Sequence, residues 1–272
     1  VAHPFTTTLG SDDVRITTRY IEDNFVSGIF STIHETGHAL YELGIVPGKE
    51  YMRTRLSEAS SMGIHESQSR MWENIIGRSR AFWMKNYARL VELAGPTLEG
   101  VSLEDFIRGI NKVEPSLIRT EADEVTYGLH IILRFELESA LIDGGLEVRD
   151  IPAAWNERMN ELLGIEPPDD SSGCLQDVHW SAGLFGYFPS YALGNLYAAQ
   201  FWDAMRADIP DLEQRIEAGD LASPLGWLRE KIHAQGAVFR PDELILRVTG
   251  TKLDPGHFVR YLRSKYSSVY GF

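Results

Sequence analysis

His34-Glu35-Thr36-Gly37-His38 places two imidazoles four residues apart around a carboxylate. On a helix, positions i and i+4 lie about 40° apart in azimuth, so both rings leave one face. Two imidazoles so placed can hold one tetrahedral metal ion, and the carboxylate between them can reach its water. The bland alternative is a helix with two incidental histidines. The apolar flanks Phe30, Ile33, Ala39, Leu40 and Leu43 weaken it, because they predict a largely buried helix. A buried His-Glu-His cluster needs partners, and a metal supplies them.

A hydrolytic zinc site takes a third protein ligand and leaves one position open. A third histidine six residues after His38 is excluded, since Gly44 stands there, and the glycine such a pattern needs at position 41 is Tyr41. His65-Glu66-Ser67-Gln68 offers the ligand instead. Glu66 follows His38 after 27 intervening residues, room for a loop and a returning helix. Glu66 is therefore the expected ligand and His65 its neighbour; the competing reading is a carboxylate favoured by a helix start. Related zinc peptidases carry a further carboxylate four residues after the third ligand. Arg70 stands there, so the partner of His34 is left open.

The elements that position these residues are helical by periodicity. Helices are predicted over 21–43, 66–93, 103–111, 120–142, 151–163 and 190–206, with shorter ones near 211–218, 224–235, 241–248 and 256–266. Gly95-Pro96, Gly144-Gly145, the 167–170 Pro-Pro-Asp-Asp run and Pro255-Gly256 supply the breaks. Strand patterning is limited to 5–8 and 14–18, around Gly10-Ser11-Asp12-Asp13, which predicts a small hairpin. The fold class is mainly α with a minor sheet, and no domain boundary is evident.

Composition narrows the chemistry. The chain has 272 residues, with 26 basic and 39 acidic side chains and a formal charge of −13. Nucleic acid and anionic membrane are poor partners for such a balance. Residues 178–202 hold no Asp, Glu, Lys or Arg, yet their glycines, Pro189, Asn195, Gln200 and His179 argue against a membrane span. The one cysteine, Cys174, excludes an intramolecular disulfide and fits a reducing, cytoplasmic compartment; it reads as a packing residue.

Several motifs in order make the chain resemble the M32 family of metallocarboxypeptidases, the carboxypeptidase Taq type. They are His3-Pro4-Phe5, Asp13-Val14-Arg15-Ile16-Thr17, the His34–His38 motif and His65-Glu66-Ser67-Gln68. Then come Ile118-Arg119-Thr120-Glu121-Ala122, Gly173-Cys174-Leu175-Gln176-Asp177-Val178-His179-Trp180 and Gly186-Tyr187-Phe188-Pro189-Ser190-Tyr191. The resemblance implies a mostly helical zinc-peptidase fold with a small hairpin lining a groove, a homodimer, and zinc, cobalt or another divalent metal. It implies His34, His38 and Glu66 as metal ligands, Glu35 as general base, and Arg119 as the cation for a peptide's terminal carboxylate. Tyr191 and His179 would steady the tetrahedral intermediate. Arg15 is a second carboxylate-binding candidate, with an ion pair to Asp13 as its alternative; for Arg119 the alternatives are Glu121 and Asp123. Asp177 and Gln176 are candidates to support the site from behind.

Members of that family are longer, with a helical part ahead of the His-Pro-Phe motif. The motif stands at the start here, so residues 1–272 read as one C-terminal catalytic portion. The expected function is removal of C-terminal residues from peptides. A zinc endopeptidase, or a metal-binding piece without turnover, are the alternatives.

Overall fold

A computed structural model describes residues 4–10, 12–45 and 54–272. His3 of the His-Pro-Phe motif and Ser11 of the hairpin turn lie outside the described residues. Strand β1 (Phe5–Gly10) pairs antiparallel with β2 (Asp13–Thr17), in register from Phe5 opposite Thr17 to Thr8 opposite Val14, with an irregularity between Thr8 and Gly10. Thr6 and Thr8 share a face of β1 by the two-residue repeat of a strand. Both use it on the next helix.

That helix is α1 (Phe25–Gly44), which carries the His-Glu-His motif. It starts four residues later than the 21–43 prediction, because the Asn24 side chain accepts from Ser27 N and caps the first turn. The predicted 66–93 helix is three pieces. Helix α2 (Met62–Arg70) begins at Ser61, whose hydroxyl accepts from Ile64 N. It runs into a π-helical segment, Met71–Gly77, and after Arg78 the Ser79 side chain caps a new helix, α3 (Arg80–Ala94). Helix α4 (Leu103–Ile110) follows.

The predicted 120–142 helix starts late. Arg119–Glu121 form a 3₁₀ turn, and the Asp123 carboxylate accepts from Val125 N and Thr126 N, so α5 (Tyr127–Ile142) begins beyond it. Helices α6 (Ile151–Leu163) and α7 (Pro189–Asp208) match their predictions closely. Short α8 (Leu212–Glu217), α9 (Ala222–Lys231), α10 (Pro241–Thr249) and α11 (Gly256–Tyr270) complete the chain. The fold is mainly helical with one two-stranded sheet. Among the described residues no helix is long and apolar enough to cross a membrane.

The chain divides into two compact units, residues 1–110 with 193–272, and residues 111–192. The first unit has its main core around Tyr41, Ile64, Met71, Ile76, Phe201, Met205, Leu228 and Ile232. A second cluster joins Phe30, Trp83, Phe106, Ile107 and Ile110. The second unit packs Leu133, Leu137, Trp155, Met159, Leu163 and Cys174, with Tyr127, Ile131 and Phe188 beside them. Cys174 is a buried core residue, as its reading as packing expects.

Candidate active site

In the first unit, α1 and α2 cross at very close range. A Cβ at Gly37 would stand 2.6 Å from Ser69 Cα and 2.8 Å from Gln68 O, so no other residue fits without moving backbone. This approach brings the α1 histidines against the α2 carboxylate. His34 Nε2 lies 3.6 Å and His38 Nε2 3.4 Å from Glu66 Oε2. The ligand atoms of His34, His38 and Glu66 all fall within 4.8 Å of one another. Gly194 of α7 backs the carboxylate, since a Cβ there would stand 2.3 Å from Glu66 Cγ.

The outward atoms of the trio are bound. His34 Nδ1 meets Glu73 Oε2 at 2.9 Å, so it carries the proton and leaves Nε2 as a lone pair. Glu66 Oε1 accepts from Arg70 Nε at 2.8 Å, and Oε2 from Ser69 Oγ at 3.0 Å. Arg70 also reaches Glu73, which accepts from Arg78 Nη2 at 3.2 Å. Two imidazole nitrogens and one carboxylate oxygen, each steadied from behind, fit the donor set of a catalytic zinc site.

The charges agree with that arrangement. Burial opposes ionisation of Glu66, but Arg70 and His34 hold it well below the usual carboxylate range. Glu73 is likewise depressed against its burial by its bond to His34 and by Arg70 and Arg78. For His34, burial favours the neutral ring, and Glu66 with Glu73 outweigh it, so its pKa is raised. His38 goes the other way, lowered chiefly by burial. Glu35, buried between them in sequence, accepts from Thr6 Oγ1 of β1 at 2.6 Å through Oε2.

The second unit gathers another set of expected residues. Arg119 is buried and forks onto Asp177, with Nε at 3.1 Å and Nη2 at 2.6 Å from Oδ1, while Nη1 donates to the Tyr127 hydroxyl at 3.0 Å. Its partner is thus Asp177, rather than the sequence neighbours Glu121 or Asp123. Arg134, fully buried, grips the other oxygen of Asp177 at 2.7 Å. Two guanidiniums share one carboxylate. Asp177 stays below its usual pKa against its burial because of both arginines. Burial brings Arg134 down to about 10, and Arg119 is raised against burial by Tyr127 and Asp177. His179 Nε2 lies 3.0 Å from the Tyr191 hydroxyl, and Arg119 stacks 4.8 Å from the Tyr191 ring centre. Gln176 accepts from Arg119 N at 2.8 Å. Arg15 differs from these: it is exposed on β2 and paired with Asp13 at 2.9 Å.

Residues 1–266 match the family model described as Carboxypeptidase Taq (M32) metallopeptidase. The chain belongs to the M32 family. It is 53% identical over 270 residues to Thermostable carboxypeptidase 1 of Thermus thermophilus, covering 99% of this chain and 52% of that protein. It is 47% identical to Carboxypeptidase 1 of Bacillus subtilis, covering 98% of this chain and 53% of the relative. The crystal structure of the M32 carboxypeptidase from Deinococcus radiodurans R1 superposes with a TM-score of 0.96 at 46% identity, over 99% of this chain and 54% of that one. The chain spans about half the length of the curated relatives it matches.

In each unit, several residues around the expected ones escape the sequence reading. Glu73 is the partner of His34 that the spacing left open; it stands seven residues after Glu66, about two helical turns further on. Arg70, seen only as a missing carboxylate, ties Glu66 to Glu73. Thr6, Tyr127 and Arg134 carry no local signal, because each acts on a residue distant in the chain or from an apolar helix.

Proposed function

We propose that this chain is the metal-bearing portion of a metal-dependent carboxypeptidase that removes C-terminal residues from peptides. The observation that carries the reading is the convergence of His34, His38 and Glu66 beside Glu35 in a chain of the M32 family. His34, His38 and Glu66 would hold the ion, with zinc, cobalt or another divalent metal compatible with imidazole and carboxylate donors. Such an ion, when bound, supplies Lewis acidity and a water of lowered pKa.

Glu35 accepts the proton of the attacking water and delivers it to the leaving amine. The Thr6 hydroxyl holds Oε2, which leaves Oε1 of Glu35 to receive that proton. Arg119 pairs with the terminal carboxylate. The named bonds engage three of its five N–H groups, and the other two are assigned to the substrate. Tyr191 donates to the developing oxyanion and His179 orients the phenol. A homodimer and a cytoplasmic setting are part of the same reading; Arg15, as an exposed cation, is the weaker carboxylate candidate.

The test compares one peptide with a free and an amidated C-terminus, with metal and with a chelator. The free acid is cleaved one residue at a time, the amide is spared, and the chelator stops cleavage of the free acid. Equal rates on the two peptides would point to an endopeptidase instead. A portion that binds metal without turnover is the second reading. Stoichiometric metal with no hydrolysis of either peptide would establish it.

A further inference from the structure

The two metal-facing histidines are supported on different terms. His34 Nδ1 meets a carboxylate directly, whereas His38 Nδ1 meets a second imidazole, His65 Nδ1, at 2.6 Å. The far nitrogen of that ring, His65 Nε2, lies 2.7 Å from Glu42 Oε1. Thr8 Oγ1 of β1 donates to the other Glu42 oxygen at 3.1 Å. Tyr41 packs edge-on to the His65 ring with centres 5.2 Å apart, and its hydroxyl is fixed by Ser60 N at 3.2 Å.

Counting protons gives this chain a single direction. An ionised carboxylate only accepts, so His65 Nε2 carries the hydrogen. A neutral His65 then has a bare Nδ1, which accepts from His38 Nδ1–H. His38 is left with its lone pair on Nε2, the nitrogen that faces Glu66 Oε2 at 3.4 Å. Glu42 stands four residues after His38 on the same helix, so one turn of α1 supplies both ends of the relay.

We propose that His65 and Glu42 are positioning residues for the metal ligand His38. Together they hold it as the Nδ1–H tautomer with Nε2 turned inward, and Thr8 anchors the far end from the hairpin. The inference rests on the metal-site reading above. It makes the two ligand histidines unequal: the pull of a carboxylate reaches His34 directly and His38 only through an intervening ring.

The experiment uses the full chain with zinc alone, titrated against a chromogenic chelator. His65→Phe keeps the ring volume against Tyr41 and removes the acceptor; zinc affinity falls about 10- to 100-fold. His65→Gln offers an amide oxygen to His38 and recovers most of the loss. Glu42→Leu gives an intermediate loss, because the ring remains but its tautomer is no longer set. In the zinc-loaded wild type, long-range proton–nitrogen spectra show Nδ1–H at His38 and Nε2–H at His65. The opposite tautomer at His65 overturns the proposal, and this readout stands even if His65→Phe fails to fold. Zinc bound equally well by wild type and a folded His65→Phe sinks the relay alone. A wild-type chain that binds no zinc sinks the metal reading, and the relay with it.

Discussion

A carboxylate that shuttles a proton has to be held without a counter-charge fixing its ionisation. The donor to Glu35 is the neutral hydroxyl of Thr6. Glu66 and Glu73, whose work is to stay ionised, share Arg70 instead. On the proposed reading, the general base and the ligand thus differ in what each carboxylate touches. Glu35→Gln should keep zinc at the wild-type ratio and lose at least 10²-fold in hydrolysis, the usual worth of a proton-transfer group. Metal analysis beside peptide turnover checks it; a fully active variant would refute the general-base assignment. The convergence of His34, His38 and Glu66 was legible from spacing, through two histidines one turn apart and a later His-Glu pair. Glu73 was hidden by the expectation of a four-residue interval. The pairing of Arg119 with Asp177 was not legible, because 58 residues separate them.

At the scale of elements, the glycine in the motif sets how near two helices come. Gly37→Ala would push a methyl into the backbone at Ser69, and we expect a loss of about 1–3 kcal/mol, typical of overpacking. Gly109, exposed in α4 with open space around its Cα, is the contrast. Gly109→Ala should stabilise by about 1 kcal/mol through helix propensity. Urea midpoints of the two variants decide, and equal shifts would remove the close-approach argument. Periodicity located nearly every helix because burial repeats with the helical turn. It failed at starts and breaks, where single side chains decide: Asn24 and Asp123 move two helix starts, and Ser79 opens a third helix inside one apolar run. The π-helical segment from Met71 had no signature in apolar spacing, although wide turns of this kind recur at functional sites.

Across the whole molecule, two fully buried histidines outside the proposed ligand set contribute to the response to acid. Burial first, then Arg134 and Arg119, bring His130 down to about 4; burial and Arg229 bring His233 down to about 3. An unfolded histidine titrates near 6.5, at roughly the model-peptide value. Between pH 6.5 and 4 the unfolded chain therefore binds protons that the folded one refuses. Stability falls as the pH falls through that window, by about 1.4 kcal/mol per unit for each histidine. Urea unfolding of the zinc-free chain across pH should show the decline, and His130→Leu should make it shallower by about one proton. An unchanged slope would mean that His130 is not held neutral. His233 has a second part, because its Nε2 lies 2.8 Å from Gln68 Oε1, two residues beyond the ligand Glu66. With Gly194 seated on the Glu66 side chain, the ligand helix leans on residues far beyond it in the chain. Transplanting residues 34–73 into another scaffold would carry every ligand and leave its back wall behind. The smallest portable version of the proposed metal site is a tertiary object, assembled only when residues around 66, 194 and 233 come together.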